Sequence, residues 1–271
     1  MKQAVVKKGK VFPVDVPAPL VSRGCVLIKV VSSCISAGTE ISGVQGSGKS
    51  LIKRALEQPQ NVKKVIDMVR SDGIATAYAK VKGKVETESV TGYSLSGIVI
   101  AVGDGGSRFH VGDHVAAAGA GIANHAEYVD VPENLVMTMP RGMGFAEAST
   151  VTLGGIAMQG VRRADLRLGE YAVVVGTGIL GLLTVQMLKF AGIRVAAIDL
   201  DDNRLQIARE LGAEIILNPD SDDAIRMVES WTSGYGADTV IFTAATSSSK
   251  ALSESFKMCK RKGRVVLVGV S

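Results

Sequence analysis

The chain has 271 residues, a formal net charge of +5 and 46% hydrophobic residues, which suggests two domains, or one large one, with a sizeable core. With 21% charged residues and no low-complexity tract, the composition excludes a disordered chain. The start, MKQAVVKKGKVFPVDVPAP, has no apolar run and no small-residue cleavage site, so we do not interpret it as a signal peptide. Three cysteines without metal-site spacing (Cys25, Cys34 and Cys259) are typical of reduced thiols, so we predict a cytoplasmic protein.

The first half of the sequence is typical of a β-barrel. The runs CVLIKVV, SGIVIAVG and AEYVDVP are rich in β-branched residues and are separated by Gly, Asp and Pro. A helical insertion is predicted between them, over about 49–82, where Val62, Val65, Ile66 and Val69 fall on one helical face. Pro59 separates this helix from a shorter one before it.

Most of the excess positive charge lies in that insertion. Positions 49–84 hold nine basic and three acidic residues, whereas the rest of the chain is nearly neutral. A solvated helical surface is the simplest interpretation of this pattern. An anionic ligand is an alternative interpretation. Because the segment lacks the aromatic interleaving that supports base stacking, we predict no nucleic-acid partner.

The stretch GVQGSGKS at 43–50 fits G-x-x-x-x-G-K-[ST], which raises the hypothesis of a P-loop nucleoside triphosphatase. A phosphate loop needs a buried strand directly before it, and the preceding apolar run ends at Val31, twelve residues before Gly43. We therefore interpret the stretch as a flexible entry to the basic insertion, which occupies about 43–85, and we retain the hydrolase as an alternative.

The second half alternates apolar strands with helical segments. YAVVVG, RVAAIDL, EIILN and DTVIFTAA each precede a predicted helix, at about 179–191, 203–211, 222–231 and 250–260, and RVVLVGV closes the chain. This alternation predicts a parallel sheet covered by helices on both faces. Positions 171–188 carry no charge, but three clustered glycines favour strand, turn and helix over a membrane span. We predict no membrane association.

The run VVVGTGILGLL predicts a dinucleotide site. Gly176, Gly178 and Gly181 form G-x-G-x-x-G between a strand and a helix, where glycines permit a tight turn, a close pyrophosphate and close helix packing. Asp199 follows the next strand and can accept a hydrogen bond from the adenosine ribose, which favours NAD(H) over NADP(H). Arg204 lies nearby and could bind the 2′-phosphate of NADP(H), so NADP(H) remains an alternative cofactor. The predicted cofactor-binding residues are Gly176, Thr177, Gly178, Ile179, Leu180, Gly181, Asp199, Arg204, Thr243 and Val268.

Over its whole length the sequence resembles the medium-chain dehydrogenase/reductase (alcohol-dehydrogenase-like) superfamily. RVAAIDLDDNRLQIARELGA and GYGADTVIFTAA are similar to its cofactor domain, whereas SSCISAGTE, VTGYSLSGIVIAVG, FHVGDHVAA and HAEYVDVP are similar to its GroES-like catalytic domain. The resemblance implies an α/β protein in which a GroES-like β-barrel (1–146) precedes a doubly wound Rossmann sheet (147–271). It also implies hydride transfer between a nicotinamide cofactor and a small alcohol or carbonyl compound.

The chain departs from the family at the zinc ligands. Where zinc-dependent members have C-G-T-D and G-H-E, this sequence has A-G-T-E and G-Y-S, so Ala37 and Tyr93 replace two ligands. The third ligand would fall near Thr152, and the four-cysteine structural lobe is missing. His110, His114 and His125 remain candidate ligands, but no acidic residue or cysteine has a matching spacing. We predict no zinc, because a catalytic site needs three protein ligands.

Without zinc, hydrogen-bond donors must stabilise charge on the substrate oxygen. The resemblance assigns this role to Thr39, at the proton-relay position, and to Tyr93, at a lost ligand position; the alternative is that Tyr93 only fills the vacated volume. A further alternative is a non-catalytic dinucleotide-binding module.

The insertion most resembles bi-domain oxidoreductases, in which such a dehydrogenase is fused to a second oxidoreductase domain, so a fused or associated partner is expected. Because family members continue beyond the fifth strand of the cofactor domain, we interpret Ser271 as the end of a truncated chain. Whether the protein forms an oligomer is left open.

Overall fold

The computed structural model describes residues 1–36, 38, 40, 44, 47–48, 67, 70–71, 73, 88–105, 107–246 and 249–269. The chain divides into two compact units, Met1–Thr152 and Leu153–Ser271. The predicted domain boundary after residue 146 stays a prediction. Thr39 and nearly all of the predicted insertion at 43–85 lie outside the described residues.

The first unit is built from antiparallel strands in two sheets. A three-stranded sheet has the order β2-β1-β4, and a five-stranded sheet has the order β7-β3-β5-β6-β8. The strands are β1 Lys2–Lys7, β2 Lys10–Asp15, β3 Cys25–Ser33, β4 Ser89–Val90, β5 Ser94–Val102, β6 His114–Ala118, β7 Tyr128–Pro132 and β8 Val136–Thr138. A 3₁₀ helix, Glu133–Leu135, precedes β8, and a short helix, α1 (Phe145–Ala148), follows it.

The larger core cluster of this unit lies on one face of the five-stranded sheet. Alternate residues of β3, such as Val26 and Ile28, are fully buried, as period-two patterning requires. They pack with Leu95 and Val99 of the neighbouring strand β5. The predicted GroES-like β-barrel is confirmed by this curled antiparallel arrangement.

The second unit holds a five-stranded, fully parallel sheet of order β11-β10-β9-β12-β13. Its strands are β9 Tyr171–Val175, β10 Arg194–Ile198, β11 Ile215–Leu217, β12 Ala237–Phe242 and β13 Cys259–Leu267. The helices are α2 Val151–Ala164, which begins at the end of the first unit, α3 Ile179–Phe190, α4 Asp202–Glu210, α5 Ala224–Trp231 and α6 Ser249–Met258. The predicted Rossmann sheet is confirmed.

Both faces of this sheet are buried. One cluster includes Val174 and Leu188 and the other includes Val173 and Val240, so adjacent residues of β9 point to opposite cores. Continuous apolar strands are therefore required, as in the run YAVVV. The strand order reverses between β9 and β12, and in such sheets ligands bind outside the carboxyl ends of the strands at this switch point.

The end of the last helix differs from the predicted position. The last helix was expected to reach position 260, but α6 ends at Met258 and Cys259 already belongs to β13. Cys259 pairs with Ala237, and the register then shifts so that Arg264 pairs with Thr239. Backbone pairing across this irregularity places residues with helical periodicity in a strand.

Within the described residues, no helix combines the length and apolar character needed to span a bilayer.

Candidate functional site

The glycine turn after β9 has the geometry that a dinucleotide pyrophosphate requires. Gly176 has φ +91°, and a Cβ there would lie 2.7 Å from the Cα atom of Ala244. A Cβ on Gly181 would lie 1.9 Å from the carbonyl oxygen of Gly176, so the helix packs on the turn without space for a side chain. Gly178, the N-cap of α3, has nothing within 4 Å of its Cβ position. The open space leaves room for a ligand beside the N–H groups at the start of α3.

The other predicted cofactor residues surround the same turn or the ends of the neighbouring strands. The Thr243 hydroxyl, at the end of β12, donates a 2.6 Å hydrogen bond to the carbonyl of Gly176 and supports the turn. Ile179 is 44% exposed at the first position of α3, whereas Leu180 is half-buried. The Val268 N–H donates to the carbonyl of Phe242, so Val268 follows β13 beside the end of β12.

Asp199 lies at the end of β10 and holds the glycine turn directly. Its Oδ2 atom accepts hydrogen bonds from the backbone N–H of Thr177 at 2.6 Å and from the Thr177 hydroxyl at 3.0 Å. Its Oδ1 atom accepts one hydrogen bond, from the N–H of Asp201 at 3.0 Å. Each carboxylate oxygen has two lone pairs, so Oδ1 can accept a further hydrogen bond from a ligand hydroxyl.

Arg204 forms an ion pair with Asp201, which lies two positions after Asp199. Its Nε atom lies 3.6 Å from Oδ2 of Asp201, and its side chain is 55% exposed. Asp201 also caps α4, because its side chain accepts from the N–H groups of Asn203 and Arg204. The guanidinium is thus paired with a carboxylate near the predicted ribose site.

In the first unit, Tyr93 lies immediately before β5 and is half-buried. Its carbonyl accepts hydrogen bonds from the N–H of Gly119 and from the hydroxyl of Thr152, both at 3.0 Å. The structure therefore brings together two of the three positions that the resemblance assigns to zinc ligands. The other predicted catalytic residue, Thr39, lies outside the described residues.

The donor chemistry at these positions does not fit a zinc ion. Zinc sites in proteins are built from Cys, His, Asp and Glu. Here Tyr93 and Thr152 occupy two ligand positions, and the third position, Ala37, has only a methyl group as its side chain. Over the part of the chain that the structure describes, no three His, Cys, Asp or Glu side chains are grouped so that they could hold a metal.

A buried polar cluster beside Tyr93 was not anticipated from the sequence. Nε2 of His125 lies 2.8 Å from Oε2 of Glu40, and these side chains are only 13% and 11% exposed. The same Glu40 oxygen accepts from the Thr91 hydroxyl at 3.0 Å, and Nδ1 of His125 lies 2.8 Å from the Ser33 hydroxyl. Glu40 and His125 are 85 positions apart, and no sequence motif contains both, so nothing in the sequence indicated the pair.

Cys34, next to this cluster, does not have the environment of a nucleophile. Burial, and secondarily the Glu40 carboxylate, raise the pKa of its thiol above the ordinary value. The thiolate is the reactive form, so the surroundings suppress its reactivity.

The described part of the GVQGSGKS stretch contacts the β1–β2 turn. The Gly9 N–H donates to the Ser47 hydroxyl at 2.8 Å, and that hydroxyl donates to the carbonyl of Val44 at 2.7 Å. The nearest described strand before the stretch is β3, which ends at Ser33.

Two family models match the sequence. The family described as alcohol dehydrogenase GroES-like domain matches residues 65–158, and the family described as zinc-binding dehydrogenase matches residues 180–271. The first lies mainly in the antiparallel unit and the second covers most of the Rossmann sheet.

Individual proteins show the same similarity. L-threonine 3-dehydrogenase of Symbiobacterium thermophilum is 28% identical over 215 residues, which cover 69% of this chain and 60% of that protein. The crystal structure of 2R,3R-butanediol dehydrogenase from Bacillus subtilis is 25% identical and has a TM-score of 0.75, covering 99% of this chain and 77% of that one. A mycobacterial protein complexed with NADPH has a TM-score of 0.75 at 20% identity, covering 100% of this chain and 74% of that one.

Proposed function

Because the chain belongs to the medium-chain dehydrogenase/reductase superfamily, we propose that it is an NAD(H)-dependent oxidoreductase of small alcohols and carbonyl compounds that works without catalytic zinc. The observation that carries the proposal is the glycine turn at 176–181, whose one open glycine, Gly178, faces the N-terminus of α3. A turn of this kind with an acidic residue at the end of the next strand is the recognition element for a dinucleotide.

The acidic surroundings of the ribose position favour NAD(H). Asp199 is fixed by Thr177 and keeps an acceptor for a ribose hydroxyl, and a carboxylate there repels a 2′-phosphate. Arg204, the residue that could offset this repulsion, is already paired with Asp201. The mycobacterial neighbour was solved with NADPH, so NADPH is the matched alternative in every binding experiment below.

The nicotinamide ring supplies or accepts the hydride when the cofactor is bound. The chain's own residues must hold the substrate oxygen, on which negative charge develops as a carbonyl is reduced. We assign this to the Tyr93 phenol, with the Thr39 hydroxyl as the second donor. A single well-placed donor contributes about 3 kcal/mol to transition-state stabilisation, which corresponds to a rate factor of about 10².

The names of the relatives support a proposal for the substrate class. Threonine dehydrogenated at C3 and 2R,3R-butanediol are both secondary alcohols. We therefore propose a secondary alcohol and the corresponding ketone as substrate and product. The alignment with the threonine dehydrogenase covers 60% of that protein's length, and we keep the second oxidoreductase domain expected from the bi-domain resemblance as a proposed partner.

The test combines binding, turnover and metal content in one preparation. Titration with NADH and NADPH is expected to give the tighter dissociation constant for NADH. Addition of a panel of ketones and hydroxyketones should then oxidise NADH, which is followed by the loss of its absorbance. Metal analysis of the same sample should find less than stoichiometric zinc. Binding of NADH without any turnover would favour the non-catalytic module, and stoichiometric zinc would contradict the zinc-free mechanism.

A further inference from the structure

We propose that the Glu40–His125 pair joins two segments of the first unit, one containing Ser36 and Glu40 and the other containing Thr91 and Tyr93, and so positions Tyr93 in place of a metal ion. The inference rests on the proposed zinc-free function. Glu40 and His125 are positioning residues in this account, because they act through the segments they hold and not by touching the substrate.

Glu40 is linked to Ser36, the other described end of the first segment, by two hydrogen bonds. Its Oε1 atom accepts from the N–H of Ser36 at 2.9 Å, and its own N–H donates to the carbonyl of Ser36 at 2.8 Å. The carboxylate therefore ties both ends of the segment together. Its second oxygen, Oε2, is the one that reaches His125.

His125 fixes the second segment, positions 91–93, through both its backbone and its ring. Its N–H donates to the carbonyl of Thr91 at 2.8 Å, and the Thr91 hydroxyl donates to Glu40. A Cβ on Gly92 would lie 2.9 Å from Nδ1 of His125, so the ring packs directly on the residue before Tyr93. Nδ1 also contacts Ser33 at the end of β3.

The chemistry of the pair suits a permanent link. Both side chains are nearly buried, and every nitrogen or oxygen at their ends has a hydrogen-bond partner among the described residues. Removal of one partner would leave a buried carboxylate without its donor, which is much more costly than loss of an exposed ion pair. The acid and the imidazole are therefore the groups that connect Ser36 to Thr91 across the two segments.

The test measures amide hydrogen exchange by NMR in the intact chain. His125→Phe keeps a ring but removes both ring hydrogen bonds, whereas His125→Gln keeps an N–H that can reach Glu40. The matched control is His110→Phe, because His110 belongs to the same unit and its side chain is 83% exposed. Glu40→Gln provides a second variant in which the volume is unchanged, should His125→Phe fail to fold.

In His125→Phe and Glu40→Gln, we expect the amides of Ser36, Glu40 and Gly119 to exchange at least about tenfold faster than in the wild type, because a charged hydrogen bond has been lost. The amide of Val99, in the β3–β5 sheet, should keep its rate. His125→Gln should restore slow exchange to within about threefold of the wild type, since one strong hydrogen bond remains, and His110→Phe should change nothing.

The proposal is overturned if Ser36, Glu40 and Gly119 keep their rates in His125→Phe or in Glu40→Gln. It is also overturned if Val99 accelerates by the same factor, because the pair would then contribute only to general stability. A chelator added to the wild type tests the proposed function separately: faster exchange at these amides after metal removal would contradict the zinc-free mechanism, whatever the variants show.

Discussion

Asp199 and Thr177 hold one another at the cofactor turn, through two hydrogen bonds of 2.6 and 3.0 Å that end on the same carboxylate oxygen. The contact fixes the end of β10 against the glycine turn that follows β9. Because the other oxygen can accept one more hydrogen bond, the same side chain shapes the turn and has an acceptor available for the ribose of the proposed cofactor.

Asp199→Asn is expected to weaken NADH binding by about tenfold, because a charge-assisted hydrogen bond is replaced by a neutral one. The affinity for NADPH should fall less, since repulsion of the 2′-phosphate is removed at the same time. The measurement is calorimetric titration with both cofactors, with the exposed Asp220→Asn as the control. Equal loss for both cofactors would contradict the role assigned to Asp199 in discrimination.

Gly178→Ala and Gly181→Ala should separate binding from stability. The added methyl at 178 meets no protein atom, so the melting temperature should stay unchanged while NADH affinity falls by about tenfold or more, because the methyl occupies the pyrophosphate approach. At 181 the methyl would lie 1.9 Å from the Gly176 carbonyl, so overpacking should cost about 1–3 kcal/mol of folding free energy. Calorimetric melting and titration of both variants check this. Normal NADH binding by Gly178→Ala would place the cofactor elsewhere.

Tyr93→Phe is expected to lower kcat by about 10², because it removes the donor that faces the substrate oxygen in our proposal. Its NADH affinity should stay at the wild-type value. Tyr235→Phe is the matched control, since Tyr235 is 79% exposed in the cofactor unit. Steady-state kinetics of both variants decide the matter: unchanged turnover in Tyr93→Phe would mean that the ring only fills volume.

The Arg194–Glu214 pair predicts a pH dependence of stability. A hydrogen bond from Arg194 lowers the pKa of Glu214, and Arg194 also lies over the rings of Tyr171 and Trp231. Since the folded-state pKa is depressed, the pair stabilises the fold above the unfolded pKa of about 4.3, and this contribution is lost as the pH falls through the folded value.

Glu214→Gln should therefore be less stable than the wild type at pH 7, by about 0.5–1 kcal/mol for so exposed a pair. The difference should shrink as the pH falls towards 3. Urea unfolding followed by the fluorescence of Trp231, the only tryptophan, measures both values. A difference that grows on acidification would contradict the sign of the pKa shift.

Much of the architecture could be predicted from local sequence patterns. The run YAVVV predicts a buried parallel strand, because only apolar residues fit a strand that is covered on both faces. The glycines after it predict a phosphate-binding turn, because a side chain at Gly176 or Gly181 would clash with the backbone. The end of α6 could not be predicted, since pairing of Cys259 with Ala237 depends on a distant strand and overrides local helical periodicity.

The candidate site was predictable only in part, for a similar reason. Tyr93 and Thr152 could be placed together because the family resemblance assigns both positions to one zinc site. Their contact is present in the fold. The Glu40–His125 contact joins residues 85 positions apart, and neither residue belongs to a motif that names the other. Such a pair becomes visible only when the sheet brings its loops together.

Zinc-free hydride transfer is tested by the rate of NADH oxidation by a ketone before and after exhaustive treatment with a chelator. We expect a rate that is unchanged by the chelator and by added zinc, and that falls by about 10² in Tyr93→Phe. A rate that disappears with the chelator and returns with zinc would contradict it.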